Sequence, residues 1–154
     1  MRGFNRLIRV VFLLAFTVVI MMAGFSFTAY AEPIAVIVNS ANPVSTLGEN
    51  SIRKIYTNNI LRWPDGMPIT IYDLDVNDPL REEFSKKILG KPPYRIAEQW
   101  AHLKISNQAM NPPHTVKSQR YIIQKVSRER GAIGYVFLSA VKDNPDVKVI
   151  KTIE

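Results

Sequence analysis

Ile34-Ala-Val-Ile-Val38 is an unbroken apolar run in which four of five residues are β-branched. A short run of that kind marks a strand buried on both faces. Asn39-Ser-Ala-Asn-Pro43 follows as a loop, and Thr46-Leu-Gly-Glu49 reads as a capping box, a hydroxyl with a carboxylate three residues on. The helix it opens puts Leu47, Ile52, Ile55 and Tyr56 on one stripe and runs to about Thr57. Arg62-Trp-Pro-Asp-Gly66 is a tight turn, and Pro68-Ile-Thr-Ile-Tyr72 alternates as a second strand.

Asp73 to Asp78 reads as a polar connection, and Asp78-Pro79 as a helix start with a cap acceptor before a proline at the first helical position. Leu80, Phe84 and Ile88 form the buried stripe of that helix, with Glu82–Lys86 and Glu83–Lys87 as i,i+4 pairs on its wet side. Gly90-Lys-Pro-Pro93 ends it. A third helix carries Ile96, Trp100 and Leu103, and Asn111-Pro-Pro113 stops it. His114 or Thr115 then opens a fourth helix, with Val116, Ile122, Ile123 and Val126 turned inward. Gly131-Ala-Ile-Gly-Tyr-Val136 reads as turn then strand, and Val147 to Ile153 as a last strand. The order β-α-β-α-α-α-β-β, with helical crossovers, predicts an α/β fold on a short, mixed, partly parallel sheet flanked by helices.

The N-terminus has a different grammar. Arg2, Arg6 and Arg9 precede an apolar run from Val10 to Phe27, which closes on Ala29-Tyr-Ala31. Basic start, apolar middle and small-x-small exit predict a signal peptide over residues 1–31 with cleavage after Ala31, rather than a retained membrane anchor. Residues 32–154 are then one exported, periplasmic domain, and the membrane is met only through the leader. The chain carries 20 basic and 13 acidic residues; taking away the leader's three arginines lowers the net charge from +7 to +4. The charges are scattered, whereas nucleic-acid binding predicts a basic patch with interleaved aromatics, so no nucleic-acid partner is expected.

Little catalytic chemistry is available. There is no cysteine, and the two histidines, His102 and His114, cannot build a multi-histidine metal centre. Asp73, Asp75 and Asp78 lack the glycine and closing glutamate of a calcium loop. No Ser/His/Asp set, P-loop or dinucleotide fingerprint occurs, and Gly131-x-x-Gly134 is too short to cradle a phosphate alone. His102 falls off its helix stripe and reads as exposed, and Trp63 and Trp100 read as packing residues. The residues by themselves describe a small exported binding or interaction domain with no catalytic residue, no metal and no cofactor.

Several segments in a fixed order resemble one family. They are Ser51-Ile-Arg-Lys-Ile-Tyr56, Leu61-Arg-Trp-Pro-Asp-Gly66, the Pro68–Tyr72 strand, Arg81-Glu-Glu-Phe84 and Gly131-Ala-Ile-Gly-Tyr-Val136. Together they resemble the solute-binding proteins of phosphate ABC transporters, in the type 2 periplasmic binding protein superfamily. The resemblance implies one lobe of a fold that in the full family has two, a small oxyanion such as phosphate as ligand, and an ABC permease or another envelope protein as partner. Arg81 takes the family's anion-contacting position. His114 and Thr115, at the expected helix start, and Ser40, after the first strand, are further donors for an anion, so the expected ligand-binding set is Ser40, Arg81, His114 and Thr115. One departure weakens the site. Where the family carries Ser-Gly-Thr, this chain has Asp78-Pro79-Leu80, which removes an N–H and the hydroxyls and adds a negative charge. Loss of phosphate binding, leaving an envelope protein–protein interaction module with a homodimer as one form, is the alternative.

Overall fold

The Ile34–Val38 run is the inner part of β1 (Ile34–Asn39), and every residue of that strand is buried. The computed structural model describes residues 32–154. The expected signal peptide, residues 1–31, lies outside the described residues. Around β1 the elements are α1 (Glu49–Tyr56), β2 (Thr70–Leu74), α2 (Pro79–Phe84), α3 (Pro93–Ile105), β3 (His114–Val116), α4 (Gln119–Arg128), β4 (Ala132–Phe137) and β5 (Val147–Ile153). A π-helical turn over Ser85–Leu89 extends α2, and a 3-10 turn over Leu138–Val141 links β4 to β5. The strands form one sheet in the order β3-β2-β4-β1-β5. β2 runs parallel to both β3 and β4, and β1 antiparallel to both β4 and β5. The mixed α/β sheet is the one the sequence predicts.

Successive strand residues point to opposite faces, and two neighbours on β4 show what covers each face. Gly134 lies against Ile122 and Val126 of α4. Tyr135 points the other way, stacking on Phe84 of α2 with ring centroids 3.9 Å apart and meeting Tyr56 of α1 edge-on. The sheet is thus sandwiched between α4 and the α1–α2 layer. Trp63 and Trp100 are buried, their indoles donating to the carbonyls of Gly131 and Tyr56, as packing residues do. His102 is exposed.

Asp78 caps α2, Pro79 is its first residue, Leu80, Phe84 and Ile88 are buried, and Gly90 closes the segment at φ +69°. Both expected i,i+4 ion pairs form. Three local readings are corrected. Helix α1 starts at Glu49 behind Gly48 with no side-chain cap, and Leu47 lies outside it, its N–H donating to the Ile150 carbonyl of β5. Asp73 is not in a loop: β2 continues through Leu74, so Asp73 is a buried strand residue. His114 and Thr115 open no helix. They form β3 against the free edge of β2, and α4 begins only at Gln119, after Ser118.

Candidate functional site

The residues Ile69, Ile71 and Asp73 alternate on one side of the second strand segment, and all three are buried. Two isoleucines facing the α1–α2 layer therefore commit a carboxylate to that same layer. Asp73 is held there by three groups. Its Oδ1 accepts from the Tyr135 hydroxyl and from Leu74 N–H at 2.9 Å, and its Oδ2 pairs with the Arg81 guanidinium. The two charged side chains are 5% and 6% exposed, so the pair is shielded from water. Burial pushes the Tyr135 phenol far up, so the hydroxyl stays a donor to Asp73. The Arg81 Nε, also buried, has no hydrogen-bond partner.

A cavity of about 230 Å³ opens over this pair at the end where β2 and β3 finish. Asp73 and Arg81 lie in it with apolar walls from Leu74, Trp100 and Pro113, and Lys104 and Thr115 bring the remaining polar side chains. The cations are thus Arg81 and Lys104, and the anion Asp73. The adjoining start of α2 offers nothing further. Asp78 Oδ1 accepts from Leu80 N–H at 2.9 Å and Arg81 N–H at 3.4 Å, and its carbonyl accepts from Glu82 N–H at 3.0 Å. With Pro79 lacking an N–H, the first turn of α2 is fully satisfied from within, by a carboxylate where an anion would otherwise bind. Leu80 is 1% exposed and belongs to the core, so a hydroxyl at that position would not reach the cavity.

Of the four predicted site residues, the structure gathers two. Arg81 and Thr115 face the same cavity. His114, one residue along β3, pairs with Tyr72 and lays its ring near the Tyr72 ring, centroids 5.7 Å apart, so it projects from the other face. There Tyr72 donates to Glu129 at 2.8 Å, and burial, with the hydrogen bond to and charge of Glu129, pushes the Tyr72 phenol up to about 12. Ser40 is at the wrong end of the sheet. Val38 lies opposite Ile133 near the start of β4, and β4 is parallel to β2, so β1 ends where β2 begins. Asp73, Trp100 and Lys104 line the same cavity and are not in the expected set. The Ile69-Ile71-Asp73 alternation could have found the first, and the i,i+4 spacing of the other two on α3 would have placed them together. Among the described residues no group of His, Asp and Glu side chains is gathered to hold a metal ion, and no helix is long and apolar enough to cross a membrane.

Comparison with known proteins adds to this geometry. A model of the PBP superfamily domain matches residues 25–152. No protein of curated function matches the chain. A structure from Clostridium perfringens, described as a phosphate ABC transporter substrate-binding protein with bound phosphate, superposes with a TM-score of 0.63 at 25% identity, over 78% of this chain and 44% of that one. An ABC-type phosphate transport receptor from Vibrio cholerae gives 0.59 at 20% identity, over 78% and 46%. PstS from Borrelia burgdorferi gives 0.57 at 17%, over 77% and 47%. The last two show the shared fold alone. The chain spans less than half the length of each of these structures.

Proposed function

We propose, since the chain belongs to the PBP superfamily domain family, that it is an exported, non-catalytic binding protein which takes a small oxyanion such as phosphate in the cavity over Arg81. The observation that carries this reading is the Arg81 side chain: buried, in the cavity, with its Nε unpartnered. Thr115 and Lys104 add a hydroxyl and a second cation. The similarity to a phosphate-bound relative supports the choice of anion. Export rests on the leader pattern of residues 1–31, and an ABC permease is the matching partner.

Binding is weak on this reading. Asp73 already neutralises Arg81, and Asp78 already fills the helix start. Calorimetric titration of the purified protein with phosphate at fixed pH and salt tests it. We expect one site with a dissociation constant of about 1 mM, equivalent to about 4 kcal/mol, that disappears in Arg81→Gln. The absence of heat well above that concentration would remove the ligand. It would leave the second reading, an envelope interaction module, which the neutralisation of the Arg81 charge by Asp73 also favours.

A further inference from the structure

The cavity over Arg81 is walled mostly by carbon. Leu74 and Trp100 are buried, and with Val76, Ala97, Ala101 and Pro113 they make six of the ten residues that line it. These walls have few hydrogen bonds left to give. Trp100 Nε1–H donates to the Tyr56 carbonyl at 3.2 Å, Leu74 N–H donates to Asp73 Oδ1, and proline has no N–H. At the adjoining start of α2, Leu80 N–H and Arg81 N–H are taken by Asp78. An anion in the cavity therefore has three side-chain donors, the Arg81 guanidinium, the Lys104 ammonium and the Thr115 hydroxyl.

We infer that the oxyanion this cavity prefers is the carboxylate of a small organic acid with an apolar body. The inference rests on the reading that an oxyanion binds over Arg81, and it narrows the class. Charge is the first reason. Arg81 and Lys104 against Asp73 leave one net positive charge in the cavity, which a single carboxylate balances. A phosphate group carries about −1.5 to −2 near pH 7, and its surplus charge would face Asp73. Donor count is the second. Three donors serve the two oxygens of a carboxylate, whereas a phosphate would turn oxygens toward carbon walls that cannot replace their water. Size is the third. An apolar cavity of about 150 Å³ takes a benzene, so the 230 Å³ here has room for a ring and its carboxylate together. The ring would cover the apolar walls, with the carbon face of the Trp100 indole among its contacts.

Calorimetric titration of the purified full chain with benzoate, acetate, benzyl alcohol and phosphate separates these causes. Benzoate carries charge and ring, acetate the charge alone, and benzyl alcohol the ring alone. Benzoate should bind at least tenfold more tightly than each of the other three, a difference of about 1.4 kcal/mol. Lys104→Gln, at an exposed position, should weaken benzoate about threefold, within the range of an exposed ion pair. Lys91→Gln, also exposed but outside the cavity, should leave it unchanged. Benzoate heat without phosphate heat upholds the inference and removes phosphate alone from the oxyanion reading. Phosphate or acetate binding as tightly as benzoate overturns the inference and leaves that reading standing. Equal loss from the two lysine variants places the acid outside this cavity and also overturns it. Benzyl alcohol binding as tightly as benzoate, or no heat from any of the four, removes the inference and the oxyanion reading together.

Discussion

Asp73 and Arg81 are the residues on which the cavity depends, and their burial fixes what changing either must do. A buried ion pair contributes little net stability against an apolar replacement, but removing one partner strands the other charge out of water. Asp73→Asn leaves the Arg81 guanidinium, 6% exposed, without its counter-charge. We expect a loss of about 3–5 kcal/mol in unfolding free energy, measured by urea denaturation. Tyr135→Phe takes away one of the three groups on Asp73 and keeps the other two, so its cost should be about 1.5–3 kcal/mol, the range for a hydrogen bond to a charged group. Made together, the two changes should cost less than their sum, because the hydroxyl has no carboxylate left to serve. Full additivity would show that Tyr135 and Asp73 do not act on each other.

Strand β4 and its neighbours explain Gly131-Ala-Ile-Gly-Tyr through packing rather than ligand binding. A Cβ on Gly131 would lie 2.4 Å from the Pro68 carbonyl oxygen, where the chain enters β2. One on Gly134 would lie 2.3 Å from Cγ2 of Ile122, the fully buried side chain by which α4 sits on the sheet. Gly134→Ala should cost about 1–3 kcal/mol, the usual penalty for overpacking. Gly131→Ala should cost more, because backbone has to move where a side chain could turn. Ile122→Ala should cost less in the Gly134→Ala background than in the wild type, whereas its cost should be unchanged in the Gly131→Ala background; equal costs in all three would mean that α4 does not rest on Gly134. Elements like these were legible where their causes are local. The β-branched run of β1, the Asp78-Pro79 start and the Leu80/Phe84/Ile88 stripe each follow from residues within a turn or two. β3 was not legible, because three residues become a strand only through pairing with the open edge of β2, a tertiary cause that overrides propensity. The same holds at Asp73, whose strand state is fixed by its pairing with Thr115.

At the scale of the whole molecule, strand direction decides which predicted residues meet. In an all-parallel sheet the loops after successive strands gather at one end, and Ser40 would join Arg81 there. Because β1 is antiparallel to β4, Ser40 goes to the far end, and no pattern in the sequence reveals that reversal. Arg81 and Thr115 still come to one cavity, through α2 and β3, which both border β2. The same architecture ties its layers together through three tyrosines, Tyr56 on α1, Tyr72 on β2 and Tyr135 on β4, and predicts how the fold fails in alkali. Burial raises all three phenols above their ordinary value near 10, Tyr72 to about 12 and the other two further. A group whose pKa is higher in the folded state gives its full stabilisation below the unfolded pKa and loses it as pH rises toward the folded one. Between pH 10 and 12 the unfolded chain therefore releases protons that the folded chain keeps, and stability must fall throughout that window. Denaturation at pH 9 and pH 11 should show a clear drop for the wild type, with tyrosinate absorbance from these rings appearing together with unfolding. Tyr72→Phe should be less stable at pH 9, having lost its bond to Glu129. It should nevertheless lose less between the two pH values, since one of the three linked groups is gone. Equal stability of the wild type at both values would mean that the phenols ionise in place and that the layers are not sealed around them.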